Sequence, residues 1–321
     1  MKRFEARLAR MQQGVFNPED FILADAKDAD MAAGLSGVGR VRGDKPRLRT
    51  LGEFDDEIKR VIEQDIVDIM LTSVSTMERL NKKGALADSA IQPAVRLNDT
   101  TDVWRIRHAD FNRQNAAPFR TANLFDLPVN LGLYSVTFSG IAEEDVFALD
   151  CFREFRAEAA EAGVRYFLEI FNPSYSPIAP RDFGDFNNDM LTRALAGITE
   201  KDRPAFLKLA YNGAESLAEL TSFDPSLVVG IMGGGSGTTR DCLELLSQAQ
   251  HAGARAALFG RKILDAEDPL SMIAMMRAVT NRRLTPEQAV TEYHQRLSAQ
   301  QISPHRSITQ DQQVTEPTLL M

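Results

Sequence analysis

The sequence predicts a single α/β domain built as a parallel (β/α)8 barrel. From residue 129 onward, apolar segments of strand length alternate with amphipathic segments of helix length. The strand-like segments are apolar throughout, which is typical of parallel strands covered by helices. Eight such segments can be found in the 321 residues. Eight strands in this length suit a closed barrel better than an open doubly wound sheet.

The second half of the chain shows this alternation most clearly. Its predicted strands are 129–138, 165–171, 205–211, 226–232 and 254–259. Helices are predicted at 143–162, near 188–197, from residue 214, at 239–252 and at 269–279, because apolar residues recur there at helical spacing. A final helix opens with the capping box that begins at Thr285.

The first half is less regular, and its predicted strands are 21–26, 66–71 and 93–97. A basic amphipathic helix precedes them, and the glycine-rich segment 29–50 is predicted to be a long loop above the barrel. Residues 1–302 are therefore assigned to one barrel domain. Residues 303–321 are assigned to a polar, loose C-terminal tail that could dock on a neighbouring subunit.

Composition excludes several classes of partner. The net charge of −8 offers no overall field that would recruit nucleic acid or an anionic membrane surface. No segment approaches the roughly 20 apolar residues of a membrane span. Cys151 and Cys242 lack a C-x-x-C spacing and are interpreted as reduced, buried side chains. We therefore expect a cytoplasmic protein that binds neither nucleic acid nor membrane.

Two charged residues stand inside otherwise apolar strands. Lys208 shares one face of its strand with Phe206, and Glu169 shares a face with Phe167 and Phe171. Because an unpaired buried ammonium is very costly, Lys208 is expected to point into the barrel mouth, where active sites of this architecture lie. An amine attacks a carbonyl as the free base, which burial favours. A buried Lys–Glu ion pair without chemistry is the alternative interpretation.

Three further charges are predicted to reach the same mouth. Asp25 and Lys27 share one face of the first strand, and Arg96 lies on the third. Five ionisable groups at one end of a barrel are difficult to explain by packing alone, and they favour a catalytic site. Arg96 is predicted to contact the substrate.

Two glycine-rich turns predict an anion site. Gly234 and Gly235 belong to the turn 233–238 after the seventh strand, and Gly260 and Arg261 follow the eighth. Backbone N–H groups at glycine turns and helix N-termini bind phosphate, and arginine offers a bidentate fork. The chain has no G-x-G-x-x-G after the first strand and no G-x-x-x-x-G-K-[ST], so no nucleotide cofactor is expected. The four histidines form no cluster, and no metal is expected.

These motifs resemble those of one enzyme family. K-L-A-Y-N-G at 208–213 is similar to the strand-six motif K-V-P-Y-T-G of the bacterial and archaeal type class I fructose-bisphosphate aldolases. The G-G-G at 233–235 and A-L-F-G-R-K-I at 257–263 resemble that family's phosphate-binding G-G and V-G-R-N-I. The resemblance covers roughly residues 129–280.

The resemblance implies a role for each matching residue. Lys208 would be the Schiff-base lysine, and Asp25 would stand where the family has an acidic residue on strand one. A substrate phosphate would be bound by Gly234, Gly235, Gly260 and Arg261. The family's members assemble into rings, and the N-terminal helix and the polar tail have no evident place in a minimal barrel, so a homo-oligomer is expected.

Two departures from the family's motifs affect proton transfer. Phe171 replaces the strand-five tyrosine that acts as general acid–base, and Ala26 replaces a histidine. Glu169, Lys27 and Tyr134 are the candidates to take over. We expect a lyase that makes or breaks a C–C bond in a small phosphorylated carbonyl compound. A thiolase-like or isomerase-like enzyme of this fold, or a barrel that binds a sugar phosphate without turnover, are the alternatives.

Overall fold

Eight parallel strands close into a barrel in the computed structural model, which describes residues 1–41, 46–235 and 237–320. Each strand pairs with its neighbours in chain order, and the eighth pairs with the first. The (β/α)8 prediction is therefore confirmed. The strands are β1 Ile22–Lys27, β2 Ile69–Ser73, β3 Gln92–Arg96, β4 Leu131–Thr137, β5 Arg165–Phe171, β6 Leu207–Leu209, β7 Val229–Met232 and β8 Ala256–Phe259.

Helices cover the outside of the barrel and the N-terminal ends of its strands. They are α1 Arg3–Gln12, α2 Ala29–Ala33, α3 Leu51–Gln64, α4 Val74–Lys82, α5 Ala142–Glu161, α6 Phe183–Ala196, α7 Ala214–Phe223, α8 Thr239–His251, α9 Arg261–Leu264, α10 Pro269–Thr280, α11 Pro286–Ala299 and α12 Ile308–Asp311. Helix α6 begins five residues earlier than the predicted 188, because Phe183 already packs as a buried residue in its first turn. Strand β6 is shorter than predicted, since its ladder covers only three residues.

Alternate strand residues form two separate apolar layers. Ile22 and Ala24 of β1 pack inside the barrel, together with Phe167, Phe206 and Leu258. The residues between them, such as Leu23, pack outward against the helices. Strand side chains alternate in direction, so a residue two positions after a member of the inner layer also points into the barrel. Only such residues can reach the mouth from a strand.

Helix α1 closes the barrel at the N-terminal ends of the strands. Its buried residues Phe4, Leu8 and Met11 belong to the inner apolar layer. The ring of Phe4 meets that of Phe206 edge to face, with centroids 5.7 Å apart. The predicted amphipathic helix therefore packs against the barrel of its own chain and closes its N-terminal end.

The C-terminal residues dock on α8 instead of hanging loose. Asp241, near the start of α8, accepts hydrogen bonds from the backbone N–H of Thr315 and of Glu316, at 2.6 and 3.1 Å. Asp311 accepts one from the N–H of Thr239 at 2.7 Å. The N-terminal helix and the tail had motivated the expected homo-oligomer, and both have partners within the chain. The homo-oligomer stays a prediction, which light scattering at micromolar concentration would test.

The segment 29–50, predicted to be a long loop, contains regular secondary structure. It contains α2 and a two-stranded ladder of Arg40–Val41 with Arg47–Leu48, while residues 42–45 lie outside the described part of the chain. Gly37 packs so closely on α2 that a Cβ there would fall 2.3 Å from the backbone nitrogen of Asp30. This close approach packs the turn around Gly37 onto the start of α2.

Candidate active site

A cavity of about 710 Å³ opens at the C-terminal ends of the strands. Its floor includes side chains from β1, β3, β5, β6, β7 and β8, and its wall includes residues of the segment 102–112. That segment connects the two strands of the ladder Asp99–Thr100 with Pro118–Phe119, which places it over the mouth. Trp104 anchors it through edge-to-face contacts with Phe111 and Phe119. The cavity therefore lies where barrels of this type have their active sites.

Lys208 lines this cavity with its side chain almost fully buried, at 5% exposure. It is placed there because Phe206, two residues earlier, belongs to the inner layer. Lys208 is paired in register with Glu169 of β5, and its Nζ forms an ion pair with Oε1 of that carboxylate. The structure thus brings together Lys208 and Glu169 as the sequence predicts.

Arg96 connects this pair to two more carboxylates. Its Nη2 donates to Oε2 of Glu169 at 3.0 Å, and its Nη1 lies 3.0 Å from Oδ1 of Asp99. Its Nε donates to Oδ2 of Asp28. Burial disfavours the cation, but the three carboxylates outweigh burial and raise the pKa of Arg96 well above its ordinary value. We call Asp28, Arg96, Asp99, Glu169 and Lys208 the ion cluster.

Polar side chains of β4 and the segment after β3 hold the ion cluster in place. Ser135 donates through Oγ to Oε2 of Glu169 at 2.7 Å. Its backbone N–H and carbonyl are both bonded to the side-chain amide of Asn98, at 2.6 and 2.8 Å. Glu169 thus has hydrogen-bond or ion-pair partners on both oxygens, so its orientation is fixed.

Asp25 and Lys27 do not reach the cavity, which corrects the sequence-based placement. The inner layer takes Ile22 and Ala24, so Asp25 and Lys27 face the helix layer on the opposite side of β1. Both are fully buried, and Nζ of Lys27 lies 2.9 Å from Oδ1 of Asp25. The two side chains do share one face of β1 as predicted, but that face is the outer one, where the Asp25 carboxylate pairs with the Lys27 ammonium.

Asp28 is the strand-one carboxylate that the sequence interpretation missed. It follows β1 directly, lines the cavity and binds Arg96. Burial opposes ionisation of this group, but Arg96 and Lys208 outweigh it and lower the pKa of Asp28. The run Asp25-Ala26-Lys27-Asp28 has charges on both faces of a strand, so its pattern alone cannot choose between them.

Asp99 is a second site residue that the sequence did not single out. It lies three residues after Arg96, is completely buried and lines the cavity. Burial raises the pKa of Asp99 to about 6, against the opposing effect of Arg96. Its position just beyond the C-terminal end of a strand was the available signal.

The glycine turns and Arg261 form the rim on the side of β7 and β8. Gly234, Gly260 and Arg261 line the cavity, and Nη2 of Arg261 donates to the Gly234 carbonyl at 3.1 Å. Burial and the nearby guanidinium of Arg105, another rim residue missed by the sequence analysis, lower the pKa of Arg261. A Cβ at Gly260 would fall 2.5 Å from the Ala26 carbonyl oxygen, so the turn requires glycine.

The remainder of the predicted anion site is already occupied by the protein's own carboxylates. The N–H groups of Thr238 and Thr239 at the start of α8 are bonded to Asp241 and Asp311. Gly235 lies outside the cavity, where the carboxylate of Glu316 approaches it. Ser236, within the same turn, lies outside the described residues. Cationic side chains, with Gly234 and Gly260, therefore make up the electropositive part of the rim.

Other candidates lie away from the reacting region. Tyr134 faces outward and stacks on Phe155 with ring centroids 4.0 Å apart. His108 is exposed and is absent from the cavity wall. Phe171 does line the cavity, with Arg96 5.9 Å from its ring centroid, but it has no proton to exchange. Within residues 1–41, 46–235 and 237–320, no three His, Cys, Asp or Glu side chains could hold a metal ion.

Solved structures with the same fold are found among the aldolases. An archaeal fructose 1,6-bisphosphate aldolase, with its catalytic lysine covalently bound to a carbinolamine intermediate, has a TM-score of 0.63 at 12% identity, covering 85% of this chain and 99% of that one. Fructose-bisphosphate aldolase from Slackia heliotrinireducens has a TM-score of 0.63 at 15% identity, covering 95% and 92%. A protein of Corynebacterium glutamicum has a TM-score of 0.59 at 16% identity, covering 87% and 94%.

These likenesses confirm the expected resemblance at the level of the fold. The structural neighbours of this chain are archaeal and bacterial class I fructose-bisphosphate aldolases and related barrels. No protein-family model matches the sequence, and no curated protein matches it significantly. Among the described helices, none has the length and apolar character needed to cross a membrane.

Proposed function

We propose that the protein is a class I aldolase that forms or breaks a C–C bond in a small phosphorylated sugar or keto compound. The observation that carries this proposal is Lys208, an almost fully buried amine at the end of β6, paired with Glu169 and open to a cavity large enough for such a substrate. The likeness of the fold to Schiff-base aldolases supports the same reaction class.

Glu169 is positioned to carry the proton of imine formation. Lys208 must lose a proton before its amine attacks the substrate carbonyl, and Glu169 is in direct contact with Nζ. The attack gives a carbinolamine, whose hydroxyl leaves as water when Glu169 returns the proton. The product is an iminium that keeps the positive charge of the original ammonium. Glu169 is therefore ionised again at the end of this step and faces both the Arg96 cation and the iminium.

The iminium then serves as the electron sink for the C–C step. Electrons of the breaking bond move into the C=N⁺ group and give a neutral enamine, while the other fragment leaves as an aldehyde. Arg261 and Arg105, on the rim of the same cavity, are the groups proposed to hold the substrate's phosphate.

Borohydride trapping tests this proposal. Dihydroxyacetone phosphate, a small phosphorylated ketone, should give a covalent adduct with the reduced wild-type protein, seen by intact-mass analysis and mapped to Lys208. Lys208→Ala should give none. An adduct on another lysine, or an adduct that survives in Lys208→Ala, would contradict the assignment of the nucleophile.

The same experiment separates the alternatives. An adduct without cleavage or condensation for any of a panel of phosphorylated ketoses would favour an isomerase-like or thiolase-like reaction. Saturable binding of the ketose phosphates without an adduct would favour a barrel that binds sugar phosphates without turnover.

A further inference from the structure

One oxygen of a carboxyl group in the cavity wall has no partner in the described chain. Oδ1 of Asp99 accepts from the Thr100 N–H at 2.9 Å and faces Nη1 of Arg96 at 3.0 Å. Oδ2 is buried and has no hydrogen-bond partner among the described residues, although Asp99 lines the cavity. A buried acceptor is rarely left unpaired in a native protein, so Oδ2 is suited to meet a group of the substrate.

Two neighbouring carboxylates, Glu169 and Asp102, have partners on both oxygens, whereas Asp99 does not. Glu169 uses Oε1 for Lys208 and Oε2 for Arg96 and Ser135. Asp102, buried in the same wall, accepts from Thr137 through Oδ1 and from the Ser174 N–H through Oδ2. Unlike Glu169 and Asp102, Asp99 therefore has a buried oxygen in this wall that no described protein group occupies.

The charges of the ion cluster also distinguish Asp99. Two cations, Arg96 and Lys208, face the three carboxyl groups of Asp28, Asp99 and Glu169. One carboxyl group can accept a proton without leaving a cation unbalanced. Arg96 and Lys208 lower the pKa of Asp28, whereas burial raises that of Asp99 to about 6, with the charges of Glu169 and Asp28 adding to the effect.

We infer that Asp99 is the catalytic acid and base of the carbon-centred step, an inference that rests on the proposed function. In cleavage, Oδ2 takes the proton of the substrate hydroxyl, the electrons of the broken O–H bond form the second bond of the aldehyde carbonyl, and the electrons of the broken C–C bond enter the iminium. Asp99 then returns that proton to the enamine carbon, which restores the iminium. No other reactant is needed, and Asp99 ends in its starting state.

This assignment divides proton transfer between two carboxyl groups. Glu169 touches Nζ of Lys208 and serves the formation and hydrolysis of the imine. Asp99 is linked to Lys208 through Arg96 and Glu169 rather than by a direct ion pair, so it is assigned to the carbon-centred step and not to imine formation. Removal of the Asp99 carboxylate should therefore block carbon chemistry and leave imine formation intact.

Hydrogen exchange separates these two steps. Dihydroxyacetone phosphate in D2O should gain deuterium at the carbon next to its carbonyl, because the base must remove that proton to form the enamine. Asp99→Asn keeps an oxygen for Arg96 and removes the base, so it should cut the exchange rate by about 10²–10⁴-fold. Borohydride should trap the same adduct as in the wild type. The wild-type exchange rate should fall below about pH 6, and this acidic limb should be absent in the variant.

Asp102→Asn is the matched control, since it removes a buried carboxylate from the same wall whose oxygens are both already bonded. A similar loss of exchange in both variants would overturn the assignment. So would exchange in Asp99→Asn within tenfold of wild type, or loss of its borohydride adduct, which would make Asp99 a positioning residue for Arg96. Failure of the wild type itself to form an adduct would instead reject the proposed aldolase reaction.

Discussion

Nη2 of Arg96 donates to the Glu169 carboxylate over 3.0 Å, and the other oxygen of that carboxylate contacts the Lys208 amine. Glu169 is therefore shared between the Arg96 guanidinium and the Lys208 amine. A guanidinium does not lose its proton in proteins. In the proposed reaction, the Glu169 carboxylate thus keeps Arg96 as a cationic partner when the Lys208 amine loses its proton.

Glu169→Gln should preserve substrate binding and lower kcat by about 10²–10⁴-fold, because the amide keeps the volume but cannot carry a proton. Imine formation should be the slowed step, which rapid-quench borohydride trapping would measure. A loss of less than about tenfold would mean that Glu169 acts only as the charge partner of Lys208.

Asp25 and Asp28 should respond differently to the same substitution. Asp25→Asn leaves the buried ammonium of Lys27 without its carboxylate, so it should lower the free energy of unfolding by about 3–5 kcal/mol, measured by urea denaturation. Asp28→Asn removes one of three carboxylates around Arg96, so it should lower kcat/KM with a smaller effect on stability. The reverse pattern would place Asp25 at the active site.

Arg261→Ala should weaken the use of a phosphorylated substrate selectively. One lost charge-assisted hydrogen bond corresponds to about 1.5–3 kcal/mol, roughly a 10- to 150-fold rise in KM for dihydroxyacetone phosphate. Dihydroxyacetone, which lacks the phosphate, should be nearly unaffected in the trapping assay. Arg181→Ala, at an exposed position away from the cavity, is the control. Equal losses with both ketones would indicate a structural role through the Gly234 carbonyl.

Phe4→Ala should lower the free energy of unfolding by about 3–5 kcal/mol, because it leaves a cavity where the fully buried Phe4 ring contacts Phe206. Chemical denaturation followed by circular dichroism would measure this. Phe147→Ala, which removes a ring that is 54% exposed, should change stability by less than about 0.5 kcal/mol. Similar values for the two variants would show that α1 contributes little to closing the barrel.

The sequence predicted those parts of the site for which an aromatic residue marks the inner face of a strand. Phe167 and Glu169, Phe206 and Lys208 follow this rule, and the structure places both charged groups in the cavity. Strand β1 gives no such mark, because Leu23 and Ala24 are both apolar and only the closed barrel decides which faces inward.

The remaining site residues lie where periodicity no longer applies. Asp99 lies in the small ladder that follows β3, and Arg105 lies in the segment that this ladder holds over the mouth, so their approach to the cavity depends on a pairing with residues 118–119. The docking of the C-terminal residues was likewise invisible to the sequence. It depends on Asp241 at the start of α8, whose carboxylate binds backbone groups more than 70 residues away.

The Arg96 contacts also determine when the site can form during folding. Arg96 bonds to Asp28 and Glu169, which are 68 and 73 residues away along the chain in opposite directions. Each of these contacts requires a large loop to close, which costs conformational entropy. A chain with half of the strands assembled would expose Arg96 to water without its carboxylates. Recovery of imine trapping on refolding would therefore report closure of the whole barrel rather than formation of its helices.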